Sequence, residues 1–525
     1  MYSAIDPQWI PSRPALRSAG GIVAAQNLRA AEVGAQVLRD GGNAIDAAAA
    51  TAFALSACEP WMSGLGGGGY MVIWMAAERK FHAIDFGMVA PVGLDTADYP
   101  LGGNPAGDIV FGWPGVVEDR NLLGPLSIAV PGQVDGVGLA LEKFGTQSLA
   151  QVLAGAIALA DRGLGVDWYA TLLIALGAGG LSRFPGSSAV WLPNGLPPTP
   201  GWDGPVKPLP LGALPGTLRT IAAKGRRAFY EGPLSELIVS DLRALGSKIS
   251  HADMQRYHAR IVEPLLAKHG GSTIATVNGL TAGSSLIRCL KELGSLKQQT
   301  TPDATTYCAY AEILQSAYGE RLASMGDSDQ HRSPSCTSHI SVIDRDGNMV
   351  SLTQTLVSLF GSKVVLPRTG MLMNNSIMTF DPRPGRPNSI GPGKRPLANM
   401  CPVLGVKDGK AFFSLGSAGG RRILPAVLQI TDFMTRFDMP LQAAFDQPRI
   451  DASGADLVTV DPRLSPSVRA ALASRFDTAE TPRMIYPLIY SCPSAAAFNG
   501  DGSTSGVSET MHPWAAAVAE KECQP

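Results

Sequence analysis

Residues 337–355 read TSHISVIDRDGNMVSLTQT, and this stretch decides the fold. His339 to Asp344 and Met349 to Thr355 are apolar or β-branched runs of strand length, and Asp346-Gly347-Asn348 between them supplies a tight turn. Thr337 therefore heads a hairpin strand, directly after Cys336 and a polar stretch, Gly326 to Ser335, that reads as exposed and mobile. If the bond between Cys336 and Thr337 is cut, Thr337 carries a hydroxyl and a free α-amine on one residue. Such an amine titrates at about 7.7 to 8.0, which suits a general base near neutral pH, so one residue serves as both nucleophile and base. The plainer reading of Thr337 is an ordinary strand-initiating residue.

Working outward, Ala24 to Ala57 carries small and apolar residues at helical spacing, interrupted by Gly41-Gly42-Asn43, and reads as two helices joined by a glycine turn. Gly64-Leu65-Gly66-Gly67-Gly68-Gly69 follows, then the strand-like run Tyr70 to Trp74. Gly64, Gly66 and Gly69 satisfy GxGxxG, but a dinucleotide site needs a strand before that loop and a helix after it, and here the order is reversed. Downstream, Val403 to Leu415 reads as a second hairpin with its turn at Lys407-Asp408-Gly409. Gly416-Ser417-Ala418-Gly419-Gly420 then opens a helix over Arg421 to Met434, an arrangement that aims backbone N–H groups at one point. Between these blocks, Leu139 to Leu245 alternates helical patterns with Pro/Gly-rich stretches, and Phe184 to Pro215 reads as a long irregular excursion.

Composition excludes several classes of function. Lys+Arg total 43 against Asp+Glu 44, a net charge of -1, so no basic excess exists to neutralise phosphates and no nucleic-acid partner is expected. With 17% charged and 45% hydrophobic residues, 59 glycines and 40 prolines, the chain describes a compact, loop-rich enzyme. Met1 to Arg17 has no cationic start followed by an apolar run, and the longest apolar-rich stretch, Ala47 to Ala57, is too short to span a bilayer; a cytoplasmic protein with no membrane partner is expected. The 7 cysteines form no CxxC pair, which reads as reduced thiols. The 7 histidines form no HxH or HxxxH pair, so no metal is expected, and no cofactor motif occurs.

Longer blocks carry a resemblance. Gly41-Gly42-Asn43-Ala44-Ile45-Asp46-Ala47-Ala48, Glu59-Pro60, Ser63 to Gly69, Val130-Pro131-Gly132 and Ala228-Phe229-Tyr230-Glu231-Gly232 come in order before Thr337-Ser338-His339 and Asp346-Gly347-Asn348. Asn374-Asn375, Lys394-Arg395-Pro396-Leu397 and Gly416 to Gly420 follow. From about Gly21 to Ala516 the chain resembles the γ-glutamyltransferase (glutathione hydrolase) family. The resemblance implies an α+β fold, the four-layer αββα sandwich of the Ntn hydrolases, in one domain spanning residues 1–525. It also implies a proenzyme that cleaves itself before Thr337 into a large subunit, 1–336, and a small catalytic subunit, 337–525, with a heterotetramer as a further expectation. By the same resemblance Thr355 activates the Thr337 hydroxyl, and Gly419 and Gly420 supply the oxyanion hole, where one lost donor costs about 2.7 to 4 kcal/mol of barrier stabilisation.

The substrate-reading positions depart from the family. An arginine that grips the γ-glutamyl α-carboxylate is expected after Asp85-Phe86, where Gly87 stands. Val357 replaces an asparagine, Ser376 and Thr379 replace a glutamine and an aspartate, and Ala398 and Asn399 replace paired serines. A buried zwitterion without partners costs several kcal/mol, so γ-glutamyl compounds are not the expected substrates. Two other cations lie near in sequence: Arg421, which would read an acidic acyl group or else sit as a solvated helix residue, and Arg368. Cephalosporin acylases and oxamate amidohydrolases are relatives with similarly altered pockets. Trp113 and Phe111, within Asp108 to Pro131, read either as a pocket wall or as buried core. Three functions follow: an autoprocessing amidohydrolase for a non-γ-glutamyl small-molecule amide, a γ-glutamyl enzyme with a rebuilt clamp, or a non-enzymatic binding or structural relative.

Overall fold

Strands Cys336–Ile343 and Met349–Val357 pair antiparallel, as the hairpin pattern requires. The Asp344 carboxylate builds their turn: Oδ1 accepts the N–H groups of Asp346 and Asn348 at 3.0 and 2.9 Å, and Oδ2 accepts the N–H of Ala44 at 2.9 Å. A computed structural model describes residues 13–105, 113–201, 203, 206–297, 299–325, 336–454 and 456–523; Phe111 and the polar stretch 326–335 lie outside the described residues, as does the Cys336 side chain.

The hairpin is the middle of a seven-stranded sheet. Ala516–Ala519 and Ile22–Ala25 precede it in sheet order, and Gly68–Met75, Lys80–Phe86 and Arg260–Val262 follow it, all antiparallel. A second seven-stranded antiparallel sheet runs Leu16–Ser18, Thr504–Ser508, Cys492–Phe498, Lys410–Ala418, Val403–Lys407, Ser272–Thr276, Leu265–His269. Side chains alternate across each sheet, and both faces are buried. Ile22, Val72 and Trp74 of the first sheet meet Ala275, Leu404, Val406 and Ala496 of the second. Val23, Ala25, Met71, Ile73 and Leu352 turn the other way, onto helices Leu28–Arg39 and Ala44–Cys58. Ile274, Val403, Phe413 and Leu415 turn outward from the second sheet onto helices Gly283–Gly294, Ala304–Met325 and Ile423–Thr435. The chain is thus an α+β protein of four layers, helix on sheet on sheet on helix. Serine hydroxyls stitch the inner faces: Ser351 donates to the Leu415 carbonyl at 2.9 Å and Ser414 to the Val350 carbonyl at 2.7 Å.

Local sequence explains the two helices behind the hairpin. Asn27 caps the first, and Asn43 with Asp46 forms a capping box on the second. Every residue of Ala44–Cys58 is buried, which its run of small side chains permits. Two expectations change. Ala24 belongs to the strand Ile22–Ala25, because Val23 and Ala25 pair with Val342 and Ile340 of the hairpin. The excursion Phe184 to Pro215 contains the helix Pro185–Trp191 and the start of another, Leu214–Lys224; proline at the first turn of each suits a helix N-terminus. Among the described residues no helix is long and apolar enough to cross a membrane.

The glycine run serves packing. A Cβ on Gly67 would strike the carbonyl oxygen of Thr355, and one on Gly69 that of Thr353, so the run presses backbone to backbone against the strand that carries Thr355. We predict that Gly67→Ala displaces this strand and destabilises the fold by roughly 1–3 kcal/mol. Urea unfolding measures it; an unchanged midpoint would contradict the close approach.

Candidate active site

Thr337 and Thr355 face each other across the hairpin. Pairing shifts register between Cys336 and Ser338, so that Cys336 lies opposite Val357 and Ser338 opposite Gln354. Such irregularities re-aim a side chain at a strand end. The Thr337 Oγ lies 3.4 Å from the Thr355 Oγ, with both residues buried. That is long for an O–H···O bond and is a contact able to tighten. The Thr355 Oγ is held from behind by the Val357 N–H at 2.8 Å. To deliver that N–H, Val357 adopts a φ of 86°, a strained choice for a β-branched residue.

Around these hydroxyls is a small cavity of about 40 Å³. Thr337, Thr355, Gly420, Gly87, Val357, Ser376, Thr379, Ala398 and Asn399 all line it. Gly419 does not; it precedes Gly420 at the mouth of a helical turn, with a φ of 132° and Ser491 so close that a Cβ would stand 2.8 Å from its Cα. The leading N–H groups of such a turn have no carbonyl behind them within the helix. The rest of the wall, to which the sequence assigned no site role, is Tyr70, Met88, Pro396, Leu397, Met400 and Ile423. The spacing that could have flagged Tyr70 is its place opposite Asp85 in the strand pairing, two residues from Gly87.

Among the described residues, none of the lining side chains is charged. Asp85, beneath Gly87, accepts the Gly87 N–H at 2.9 Å, pairs with Arg260 and lies 3.3 Å from Arg395. Arg395 also donates to the Gly87 carbonyl at 2.5 Å, as does Tyr257 at 2.9 Å, so these charges close on one another. Arg421 is not brought to the cavity: its guanidinium lies over the Tyr318 ring at 5.4 Å, and Tyr318 donates to its carbonyl. Burial pulls the Arg421 pKa below its ordinary value. Arg368 is also elsewhere, on Asp241 with its Nε 2.6 Å from Oδ1. Trp113 is buried core, packed in one cluster with Met88, Val357 and Leu397 behind the wall.

Behind Thr337 the next residues are tied down. Ser338 donates to Glu59 at 2.9 Å, Glu59 meets the His512 Nε2 at 3.1 Å, and Ser63 donates to Ser338 at 2.9 Å. The His339 ring contacts the hydroxyls of Thr353 at 2.8 Å and Ser341 at 3.0 Å, and burial pushes its pKa down to about 3. His339 is therefore neutral at working pH and holds the strand instead of taking protons.

The family model described as gamma-glutamyltranspeptidase matches residues 30–336 and 328–485. An acylase ACY 1 proenzyme from a Pseudomonas species is 33% identical over 94% of this chain and 92% of its own length. A glutathione hydrolase proenzyme from Bacillus subtilis is 32% identical over 82% of this chain and 80% of its own. The cephalosporin acylase of Bacillus halodurans shares the fold, with a TM-score of 0.84 over 99% of both chains at 23% identity. The family match and the four layers together make the fold that of an Ntn hydrolase, an enzyme class that cleaves amide bonds. The chain belongs to the γ-glutamyltranspeptidase family.

A histidine neutral in the fold but protonated when unfolded gives the unfolded chain the tighter grip on the proton, so its contribution is whole above the ordinary value of 6.5 and shrinks as pH falls toward 3. We predict that His339 adds up to about 1.4 kcal/mol of lost stability per pH unit below 6. Urea unfolding from pH 7 to 4 should show a shallower slope for His339→Gln; equal slopes would contradict a buried neutral imidazole.

Proposed function

We propose that the chain is an autoprocessing N-terminal-threonine amidohydrolase acting on a small-molecule amide whose acyl group is not γ-glutamyl. The observation that carries this is the cavity itself: the two threonine hydroxyls and Gly420 are present, while among the described residues no charged side chain lines the wall that would receive an α-carboxylate and an α-ammonium. In processing, the Thr337 hydroxyl adds to the Cys336 carbonyl, the C–N bond breaks with a proton to nitrogen, and water hydrolyses the resulting ester. This leaves a large subunit, 1–336, and a small subunit, 337–525, of about 35 and 20 kDa when the 54.9 kDa mass is scaled by residue count.

The freed Thr337 amine then takes the hydroxyl proton as Thr337 Oγ attacks the substrate carbonyl. Thr355, fixed by the Val357 N–H, steers that hydroxyl, and the N–H groups of Gly419 and Gly420 stabilise the oxyanion. The proton passes to the leaving amine, and water hydrolyses the acyl-threonine ester. The resting place of the enzyme in this reading is the cytoplasm, supported by the free, buried thiols of Cys58, Cys289, Cys308, Cys401 and Cys492.

Thr337→Ala should remain a single chain of 54.9 kDa without activity, whereas Thr337→Ser should process more slowly and keep turnover. Incubation with glutathione should release glutamate only at the background of Thr337→Ala. Glutamate release well above that background would favour a γ-glutamyl enzyme with a rebuilt clamp, and a cut, active Thr337→Ala protein would remove the proposal.

A further inference from the structure

The space vacated at Gly87 is not empty. A Cβ built on Gly87 would stand 2.6 Å from the Tyr70 hydroxyl and 3.2 Å from its Cζ, so the phenol occupies the volume into which any side chain at position 87 would begin. Tyr70 reaches it from the neighbouring strand, where it pairs directly with Asp85. Its hydroxyl makes no hydrogen bond to any described residue, although Tyr70 is buried and lines the cavity shared by Thr337 and Thr355. The hydroxyl belongs to the cavity wall, so water or a bound acyl group completes it, and an acyl group that displaces the water without replacing its hydrogen bond loses affinity. Burial foremost, and then the nearby Asp85 carboxylate, raises the phenol's pKa above its ordinary value, so it stays a neutral O–H donor at any working pH.

We propose that Tyr70 determines acyl specificity: its hydroxyl stands where the family's carboxylate-gripping arginine would start and donates a hydrogen bond to an uncharged oxygen at the far end of the acyl group. This rests on the proposed function and narrows its substrate class. The preferred acyl groups carry a neutral acceptor such as a carboxamide or ketone a few carbons from the scissile carbonyl. A carboxylate there would lie beside Asp85, with no cation among the described residues that line the wall. An alkyl chain would leave the hydroxyl unpaired, and sites built to hydrogen-bond a substrate group reject analogues lacking it.

The test uses four p-nitroanilides of equal acyl length on the processed enzyme: 5-amino-5-oxopentanoyl (a neutral acceptor), pentanoyl, glutaryl and γ-glutamyl. For the native enzyme kcat/KM should be about tenfold higher for the carboxamide than for pentanoyl, the size of one net hydrogen bond. In Tyr70→Phe that ratio should fall close to one; because it is taken within each variant, any loss of folded protein cancels. Gly87→Ala, which crowds the hydroxyl, should lower the ratio in the native background and change it little in the Tyr70→Phe background. A ratio that survives Tyr70→Phe, a native preference for pentanoyl or glutaryl, or a Gly87→Ala effect of equal size in both backgrounds would overturn the assignment of Tyr70 alone. A preference for the γ-glutamyl anilide, or no turnover of any anilide by processed enzyme, would overturn the proposed function and this assignment together.

Discussion

The Val357 N–H donated to the Thr355 hydroxyl is the contact on which the rest of the site depends. It fixes one oxygen at the end of the central hairpin, 3.4 Å from the oxygen proposed to do the chemistry. A valine at a φ of 86° is strained by about 1–3 kcal/mol, and it persists because its surroundings leave little alternative. The glycine run presses on the same strand from one side, and the second sheet closes over it from the other. On the partner strand, Ser338, the residue next to Thr337, is held by Glu59 and Ser63, with His512 behind Glu59. Preorganisation of this kind lets a weak nucleophile such as a threonine hydroxyl work.

The same architecture bears on what a cut at Thr337 would leave. Ile22–Ala25 lies between Ala516–Ala519 and the hairpin, and Gly68–Met75 borders the hairpin on its other side. In the second sheet Leu16–Ser18, Ser272–Thr276 and Leu265–His269 flank four strands from beyond residue 400. Residues before and after the proposed cleavage point thus share both sheets, and the two pieces cannot part without dismantling the core. Cleavage therefore exposes an amine while the sandwich stays closed.

Much of this was legible because it is local. The hairpin follows from strand-length apolar and β-branched runs around Asp-Gly, and the helices behind it from small and apolar residues at helical spacing broken by Gly41-Gly42-Asn43. Nine of the positions given a site role by resemblance line one cavity, because strand ends and glycine turns of this fold converge there. Arg421 misled because adjacency is not direction: successive residues of the tight helical turn Gly420–Arg422 are rotated by about 120°, so a neighbour of Gly420 faces Tyr318 instead. Tyr70 stayed hidden for the converse reason. It is distant in sequence from Gly87, and only the pairing of two strands puts its hydroxyl there.

On this reading of the site, Thr337 becomes an N-terminal residue. Intact-mass analysis with N-terminal sequencing of freshly purified protein tests it most directly. Two species of about 35 and 20 kDa that co-elute under native conditions are expected, the smaller beginning Thr-Ser-His-Ile. A stable single chain of 54.9 kDa, or a cut at any other bond, would contradict it.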